Sequence, residues 1–439
     1  MFSALQGTDG MGTPPPPGER SSGRLPQTAD TKGTEAMYNV NHRHLVLGVA
    51  LVLAPFQLAC RSGGAGGGTL SGVAPGLPHA RPMPEQVRAV WVARFHYQTP
   101  DDIRTIVRNS ASLGFNTLLW QVRGEGTVLY PSRIEPWAAQ YGYRDPGFDP
   151  LRIAVEEAHR HGMRIEAWVN VMPGWKGKRP PPIPNQLWNT HPEWFLRDAA
   201  GRRQELGDFY VILNPCLPAV RRYITSIFDE IVSNYAVDGV HLDYVRYAWD
   251  TTPHARERFP RDPDTLKLFR RDTGKTPESD PAAWDAWRIN QLTRLVDSIR
   301  TIVAHRRPGA TVTAATWSSP QRGYDEYFQN AAGWLRTGLI HAAYPMAYTD
   351  RVGDFENYIR AYQAAAPERR VIPGIGIYKH STPQQVAEQL ERCRAWGGDF
   401  AVFSYASLHA VAGDRNAKPT ALASENKLRT MRREVVRRF

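Results

Sequence analysis

The chain has little cysteine, with three residues in 439. Cys60, Cys216 and Cys393 lie far apart in the sequence and are too few to build the disulfide framework of a small secreted domain. A chain of this length can bury a core that needs no such cross-links. We therefore expect Cys216 and Cys393 to be small buried apolar residues.

The sequence also lacks a hydrophobic run long enough to cross a membrane. The apolar run at residues 45–56 has about a dozen residues, whereas a spanning helix needs about 20. It follows a short polar segment and ends in Leu-Ala-Cys at Cys60, a pattern typical of a bacterial lipoprotein signal peptide. We predict a signal at residues 37–60 and an exported cell-envelope or periplasmic lipoprotein, anchored to a membrane through lipidated Cys60. Gln57 stands where an aliphatic residue is usual, so plain secretion is the alternative.

The segments on either side of this signal contain almost nothing to bury. Residues 1–36 are rich in proline, glycine, serine and charge, so we expect them to be disordered. Because a signal that lies so far into a chain would work poorly, we infer that Met37 is the true start. Residues 61–84 are predicted to be a flexible linker.

Acidic residues are fewer than basic ones, 43 against 54, which gives a formal net charge of +11. The basic residues are scattered, and no zinc-ligand spacing or other nucleic-acid motif accompanies them. We therefore predict no nucleic-acid partner.

Eight β-rich segments alternate with amphipathic helical segments between residues 85 and 410. They are VRAVWVAR, NTLLWQVR, RIEAWVNV, VDGVHLDY, TVTAATWS, HAAYPMAY, VIPGIGIY and FAVFSYAS. This α/β pattern predicts a single (β/α)8 TIM barrel with long βα loops. A doubly wound open sheet is the alternative, but no Gly-rich nucleotide loop follows the first strand. Residues 411–439 are predicted to be a basic C-terminal helix or tail, either packed on the barrel or holding an anionic lipid or glycan.

The connections that leave the predicted strands are much longer than those that enter them. The long ones span residues 124–150, 172–218 and 248–282 and are rich in tryptophan, tyrosine and proline. In a barrel these loops lie on the C-terminal face, where active sites are found. Aromatic rings at this face could bind a sugar, because the C–H faces of a pyranose stack on them. The alternative is that the rings pack against one another and form a lid over the barrel.

Alternation along each predicted strand selects the side chains that point into the barrel. Val240 and Leu242 should meet the helices, whereas His241 and Asp243 point inward, with Asp243 near the C-terminal end. The same parity turns these further residues inward: Arg94, His96, Gln121, Arg123, Glu166, Trp168, Asn170, Tyr344, Met346, Tyr348 and, just past its strand, Asp350.

Charges inside a barrel are costly unless they are paired. Some of this set should therefore be structural ion pairs, and we expect Glu166 to pair with Arg94 or Arg123. A barrel that needed only stability would fill its upper layer with aliphatic residues. The set as a whole indicates a functional site, with Asp243 at its centre.

Carboxylates at a barrel mouth ringed by aromatic residues favour glycoside hydrolysis. One carboxylic acid protonates the leaving oxygen, and the other attacks the sugar or activates water. The candidates are Asp243, Asp350, Glu125 and Glu166, with Asp208 as an outsider. His96, His241 and Asp243 could instead bind a divalent ion, but no H-x-H strand pair or HExxH helix occurs. We predict no metal and no other cofactor.

Five segments, in chain order within residues 87–408, match a known pattern. They are WQVRGEGTVLYPSRIEPWA, DPGFDPLRIAVEEAHRHGMRIEAWVNV, VDGVHLDYVRY, GWLRTGLIHAAYPMAY and FAVFSYASL. They resemble the bacterial glycosyl-hydrolase-like family ten, whose members are (β/α)8 barrels and often exported lipoproteins. The resemblance implies an exported glycoside hydrolase that cleaves a bacterial polysaccharide, with peptidoglycan glycan strands as the expected substrate.

The resemblance also assigns residues. The family's LDY-x-RY element falls on Leu242, Asp243, Tyr244, Arg246 and Tyr247, and its QVR element on Gln121, Val122 and Arg123. The family usually continues QVR with Pro-x-Gly-Asp, whereas here the run is Gly124-Glu125-Gly126-Thr127, so the acidic residue comes earlier. Glu166 replaces a histidine that is more common on the third strand.

Analogy with barrel glycosidases, at the level of the fold alone, implies roles for three carboxylates. Asp243 would be the nucleophile or principal carboxylate, Asp350 the acid/base, and Glu125 the alternative acid. The predicted substrate-binding residues are Gln121, Arg123, Glu166, Trp168, Asn170, His241, Tyr244, Arg246, Trp317, Tyr348 and Tyr405. Two alternatives stay open, a non-catalytic glycan-binding lipoprotein and a glycan deacetylase or lyase that uses the same cleft.

Overall fold

The computed structural model describes residues 77–247, 255–416 and 419–439. The predicted signal peptide, Cys60 and most of the predicted linker lie outside these residues. Within the described residues, no helix combines the length and apolar character needed to span a membrane.

The strands form one large parallel sheet and one small hairpin. In chain order they are β1 (Arg88–Val92), β2 (Thr117–Arg123), β3 (Arg164–Asn170), β4 (Pro173–Gly177), β5 (Gly207–Ile212), β6 (Gly239–Asp243), β7 (Thr311–Thr316), β8 (Ala342–Pro345), β9 (Arg370–Val371), β10 (Gly374–Ile375) and β11 (Phe400–Val402). The order in the large sheet is β10-β11-β1-β2-β3-β6-β7-β8-β9, and β4 pairs with β5 in antiparallel fashion.

All eight predicted strands are present, and the seventh is split into β9 and β10. The first half pairs with β8 and the second with β11, while a bridge joins Met346 to Gly374. Pro373 lies between the two halves and has no N–H to donate to a ladder. The two ends of the sheet therefore meet in one interrupted strand. The prediction of a (β/α)8 barrel is confirmed.

Prolines and side-chain caps begin many of the helices. The helices are α1 (Pro100–Ser112), α2 (Pro150–Arg160), α3 (Leu187–Thr190), α4 (Pro218–Asn234), α5 (Ala255–Arg258), α6 (Pro263–Thr273), α7 (Pro281–Arg306), α8 (Pro320–Tyr327), α9 (Ala331–Arg336), α10 (Val352–Ala365), α11 (Pro383–Ala395) and α12 (Pro419–Val436). Thr99 and Thr382 form capping boxes at α1 and α11, and Asp149 caps α2. Proline suits the first helical position because its missing N–H would have no partner there.

The core has two layers, as strand alternation requires. Side chains such as Val90, Leu118, Val240 and Leu242 belong to the large cluster that packs against the helices. Side chains on the opposite face of the strands form a smaller cluster inside the barrel. Its members are Val87, Ala89, Trp91, Leu119, Trp168, Ala342, Tyr344, Ile372 and Ala401. For β6, which is the fourth predicted strand, the sequence prediction is confirmed. Val240 and Leu242 face the helices, and His241 and Asp243 contact tryptophans of the inner cluster.

Helix α12 packs on the barrel beside α11 and follows the last strand, so it takes the place of the eighth barrel helix. Arg432 is buried and donates hydrogen bonds to the carbonyls of Tyr378 and His380 in the loop after β10. Arg429 is also buried and donates to the carbonyl of Ala406 after β11. Two basic residues of the predicted C-terminal helix therefore hold barrel loops, in agreement with the reading in which this helix packs on the barrel.

Candidate active site

Asp243 lies at the C-terminal end of β6 and is 5% exposed. The indole N–H of Trp168 donates to its Oδ2 at 3.1 Å, and the backbone N–H of Tyr244 donates to its Oδ1 at 2.6 Å. The guanidinium of Arg246 lies 3.6 Å from Oδ1. These contacts stabilise an ionised carboxylate in one orientation. The sequence prediction that Asp243 points into the mouth is confirmed.

Aromatic rings and a cation surround this carboxylate. Tyr244 has a positive φ of 50°, which lets the chain turn sharply just after the strand. The guanidinium of Arg246 lies over the Tyr244 ring at 4.1 Å and over the Trp317 ring at 5.2 Å. The indole N–H of Trp317 is buried, and no described residue accepts a hydrogen bond from it. The neighbourhood of Asp243 thus offers ring faces and a polar donor of the kinds that bind sugars.

Four side chains at the mouth form a closed ring of hydrogen bonds. The backbone N–H of Arg94 donates to Oε1 of Gln121 at 3.0 Å, and Nε2 of Gln121 donates to Oδ1 of Asn170 at 3.2 Å. Nδ2 of Asn170 and Nη2 of Arg94 both donate to the hydroxyl of Tyr210, at 3.4 and 3.3 Å. The ring joins the segment just after β1 and the strands β2 and β3 to the β4–β5 hairpin. Sequence reasoning placed Gln121 and Asn170 in the site and missed Tyr210.

Tyr210 escaped prediction because it lies on β5, inside the long insertion that follows β3. Alternation in the DFYVI segment marks a strand but does not say which face meets the barrel mouth. The aromatic content of the insertion was the one available signal. Tyr210 is buried and packs against the ring of Tyr244 at 4.9 Å.

Glu125 forms an ion pair with Arg94, with 2.6 Å between Oε2 and Nη2. Burial would lower the pKa of Arg94, but Glu125 and Tyr210 raise it above its usual value, so this guanidinium stays charged. The Glu125 side chain keeps 13% exposure, and its carbonyl accepts from Gln186 at 3.1 Å. Arg94 therefore holds the Glu125 side chain at the mouth, and the same guanidinium also donates to Tyr210.

Arg123 does not point into the barrel. The pairing of β2 with β3 shifts register between Gln121 and Arg123, and this bulge reverses the parity that the sequence predicted. Arg123 is fully buried and donates through Nε and Nη2 to Glu135, which also accepts from Tyr223 on α4 at 2.7 Å. Its Nη1 donates to the carbonyls of Asn170, Val171 and Pro173. Arg123 supports the ends of two strands from the helix side.

Glu166 lies deep in the barrel, opposite Gly239 at the start of β6. The expected pairing with Arg94 or Arg123 is wrong, because the partner is Arg164 at 3.0 Å. Thr311 and Thr313 donate to its two oxygens at 2.9 and 2.5 Å. Burial raises the pKa of Glu166, and Arg164 with the two hydroxyls opposes this shift. The structure does not bring Glu166 to the mouth.

His241 is also buried in the barrel interior. Its Nε2 accepts from the indole of Trp91 at 3.1 Å, so its Nδ1 carries the proton and donates to Thr313 at 2.8 Å. Burial lowers the pKa of His241 to about 3. His241 is therefore a neutral member of a polar chain that runs from Trp91 to Glu166.

The remaining predicted residues occupy three different settings. Tyr348 is half-buried and stacks on Phe403 at 5.1 Å, inside the ring of strands. Asp350 is exposed in the loop after β8, where it acts electrostatically on His380. Tyr405 is buried, and its hydroxyl accepts from Asn109 on α1 at 2.9 Å, on the helix side of the sheet. The described part of the chain contains no group of three or more His, Cys, Asp or Glu side chains that could hold a metal ion.

Known proteins resemble this chain in both sequence and fold. Glycosyl hydrolase DigH of Escherichia coli (strain K12) is 30% identical over 311 residues, which cover 62% of this chain and 65% of DigH. Glycosyl hydrolase YngK of Bacillus subtilis (strain 168) is 24% identical over 256 residues, or 54% of this chain and 46% of YngK. The chain thus spans slightly less than two thirds of the length of DigH.

Solved structures share the barrel. The PgaB (BpsB) glycoside hydrolase domain from Bordetella bronchiseptica superposes with a TM-score of 0.55 at 16% identity, covering 80% of this chain and 99% of that domain. Alpha-L-fucosidase isoenzyme 2 from Paenibacillus thiaminolyticus gives 0.55 at 15% identity, covering 80% of this chain and 49% of the fucosidase. At sequence identities of 15% and 16%, the similarity to these two structures concerns the fold alone. The sequence model of the family described as glycosyl hydrolase-like 10 matches residues 86–397, well over half of the chain, and the protein belongs to that family.

Proposed function

We propose that the protein is an exported glycoside hydrolase that cleaves the glycan strands of bacterial peptidoglycan. The observation that carries the proposal is Asp243, a carboxylate at the barrel mouth whose two oxygens are oriented by Trp168 and by the Tyr244 backbone. Glycosidase chemistry needs one ionised carboxylate of fixed orientation beside the reacting sugar carbon. Membership of a glycosyl-hydrolase-like family supports the same reading.

The second carboxylate is assigned to Asp350, with Glu125 as the alternative. A general acid must be free to reach the leaving oxygen, whereas the Glu125 carboxylate is already engaged by the Arg94 guanidinium at 2.6 Å. Glu125 therefore suits an anionic role, such as activating water or accepting a hydrogen bond from a sugar hydroxyl. Asp350 is exposed, and no ion pair of its side chain occurs within the described residues.

The choice of peptidoglycan rests on the family resemblance together with the predicted export signal. The rings of Tyr210, Tyr244 and Trp317 beside Asp243 support a carbohydrate ligand of some kind. We propose peptidoglycan glycan strands freed of their stem peptides as the first substrate to test.

Asp243→Asn tests the proposal most directly. The amide keeps the size of the side chain but removes the charge that attacks or stabilises an oxocarbenium-like centre. We expect release of reducing ends from purified glycan strands to fall by at least ~10³-fold, about 4 kcal/mol of transition-state stabilisation. The melting temperature and glycan binding should be largely kept. Asp297→Asn is the matched control, since Asp297 is an exposed carboxylate on α7 and was not among the candidate catalytic residues.

Further outcomes separate the alternatives. A folded Asp243→Asn variant that still cleaves glycan at a comparable rate would refute the assignment. Asp350→Asn should lose most activity on substrates with poor leaving groups if Asp350 is the acid, and Glu125→Gln should do so if Glu125 is. Glycan binding by the wild type without reducing-end release would indicate a binding protein, whereas acetate or an unsaturated product would indicate a deacetylase or a lyase.

A further inference from the structure

The hydrogen-bond ring at the mouth has a fixed direction. A backbone N–H can only donate, so Oε1 of Gln121 faces Arg94 and its Nε2 must donate to Asn170. The Asn170 amide is then oriented with Oδ1 toward Gln121 and Nδ2 toward Tyr210. The guanidinium of Arg94 also can only donate. Both chains of donors therefore end on the hydroxyl oxygen of Tyr210.

The hydroxyl of Tyr210 thus accepts two hydrogen bonds and has one hydrogen left to donate. No described residue accepts a hydrogen bond from it, although the side chain is only 7% exposed. Burial raises the pKa of Tyr210, so the hydroxyl keeps its hydrogen at working pH. A buried donor without an acceptor is costly, and such a group at a site mouth commonly serves a ligand.

The position of this donor limits what it can meet. Both donors to this hydroxyl connect it to a carboxylate: Asn170 is paired with Asp243 across β3 and β6. Arg94 forms the ion pair with Glu125. Its ring is held by Tyr244 on one side, with centroids 4.9 Å apart, and by the Lys176 ammonium, 5.3 Å from the ring centroid. We propose that Tyr210 is a substrate-binding residue whose O–H donates to an oxygen of the sugar bound against Asp243.

This assignment rests on the proposed function, because it needs a sugar at the Asp243 site. It adds a residue that strand alternation and the family's motifs did not supply. The β4–β5 hairpin then has a definite role, since it brings to the mouth a hydroxyl donor that no described residue accepts from. The ring from Arg94 through Gln121 and Asn170 orients that donor before the substrate arrives, which reduces the ordering cost of binding.

Tyr210→Phe removes one oxygen and keeps the ring packing. We expect kcat/KM for glycan strands to fall about tenfold, mostly through a higher KM, because a ground-state hydrogen bond is lost. The Kd of a soluble tetrasaccharide of the same glycan, measured by calorimetry with Asp243→Asn protein, should rise about tenfold when Tyr210→Phe is added. This second measurement needs no turnover.

Tyr235→Phe is the matched control. Tyr235 is also buried, and its hydroxyl donates to Asp149 at 3.0 Å on the helix side of the barrel. It should lower the melting temperature slightly and leave kcat/KM and the tetrasaccharide Kd unchanged. A purely structural Tyr210 would behave in the same way as this control.

The outcomes distinguish the two proposals. Wild-type protein that cleaves glycan while Tyr210→Phe keeps its KM and Kd would overturn the role of Tyr210 alone. A loss of affinity that merely follows a large drop in melting temperature would also overturn it. Wild-type protein that neither cleaves nor binds the glycan would refute the proposed function and the sugar contact together. Binding that weakens in Tyr210→Phe without any turnover in the wild type would support the contact and refute the hydrolase.

Discussion

Asp243 and Glu166 are carboxylates that both point into the barrel, yet they have different surroundings. Asp243 ends its strand and meets rings, a cation and the mouth, whereas Glu166 lies deeper and is enclosed by Arg164 and two threonines. Alternation along a strand determines whether a side chain points into the barrel. The position of the residue along the strand determines how far that side chain lies from the barrel mouth. This position is what distinguishes Asp243, a candidate catalytic group at the mouth, from Glu166, a member of a buried ion pair.

His241 should make stability sensitive to acid. Its pKa is about 3 in the folded protein and 6.5 as the ordinary value expected in the unfolded chain. Between these values the unfolded state takes up a proton that the folded state does not, so the free energy of unfolding decreases as pH falls below 6.5. One such group changes the free energy of unfolding by about 1.4 kcal/mol per pH unit in this range.

His241→Gln removes this group and keeps polar atoms for Trp91 and Thr313. Measured by denaturant unfolding between pH 6 and 4, its free energy of unfolding should fall with a slope about 1.4 kcal/mol per pH unit smaller than that of the wild type. The exposed His305 provides the control, and His305→Gln should keep the wild-type slope. Equal slopes for all three proteins would show that His241 is protonated in the folded state.

At the scale of elements, the segment between β2 and α2 is fixed by close backbone contacts. Gly126 has φ of +66°, and a Cβ there would lie 2.6 Å from Nε2 of Gln186 and 2.7 Å from the carbonyl of Gly174. Gly126 lets this segment dock on the β4–β5 insertion and so sets the position of its neighbour Glu125. An added methyl group must therefore strain the backbone and separate the two loops.

Gly126→Ala should lose at least about 3 kcal/mol of stability, since left-handed strain and overpacking add together. Its activity should also fall, because Glu125 moves with the loop. Gly142→Ala is the matched control, with φ of +61° and nothing within 4 Å of the added Cβ. It should lose only about 1 kcal/mol. Similar melting temperatures for the two variants would disprove the docking argument.

At the scale of the whole molecule, the proposed anchor lies outside the described residues. We propose that lipidated Cys60 holds the barrel at a membrane, on the basis of the short apolar run and the Gly-rich segment that follows. Cys60→Ser should move the protein from the membrane to the soluble fraction, as followed by immunoblot of fractionated cells. Cys393→Ser alters a buried cysteine on α11 and should leave fractionation unchanged. Membrane retention of Cys60→Ser would rule out the anchor.

The sequence by itself determined the eight-strand barrel, the faces of β6 and the place of Asp243. These features follow from local rules: alternation of period two, proline and capping residues at helix starts, and long loops on one face. The burial of Cys216 and Cys393 also agrees with expectation. None of these depends on which distant residues meet.

Only the tertiary structure decided the partners of the charged groups and the contents of the insertions. A single bulge in β2 reversed the direction of Arg123 and gave it Glu135 as a partner. The docking of the β4–β5 hairpin brought Tyr210 to Arg94 and Asn170. The physical reason is that a bulge or a docked loop is set by packing between segments far apart in the chain, which no local periodicity records.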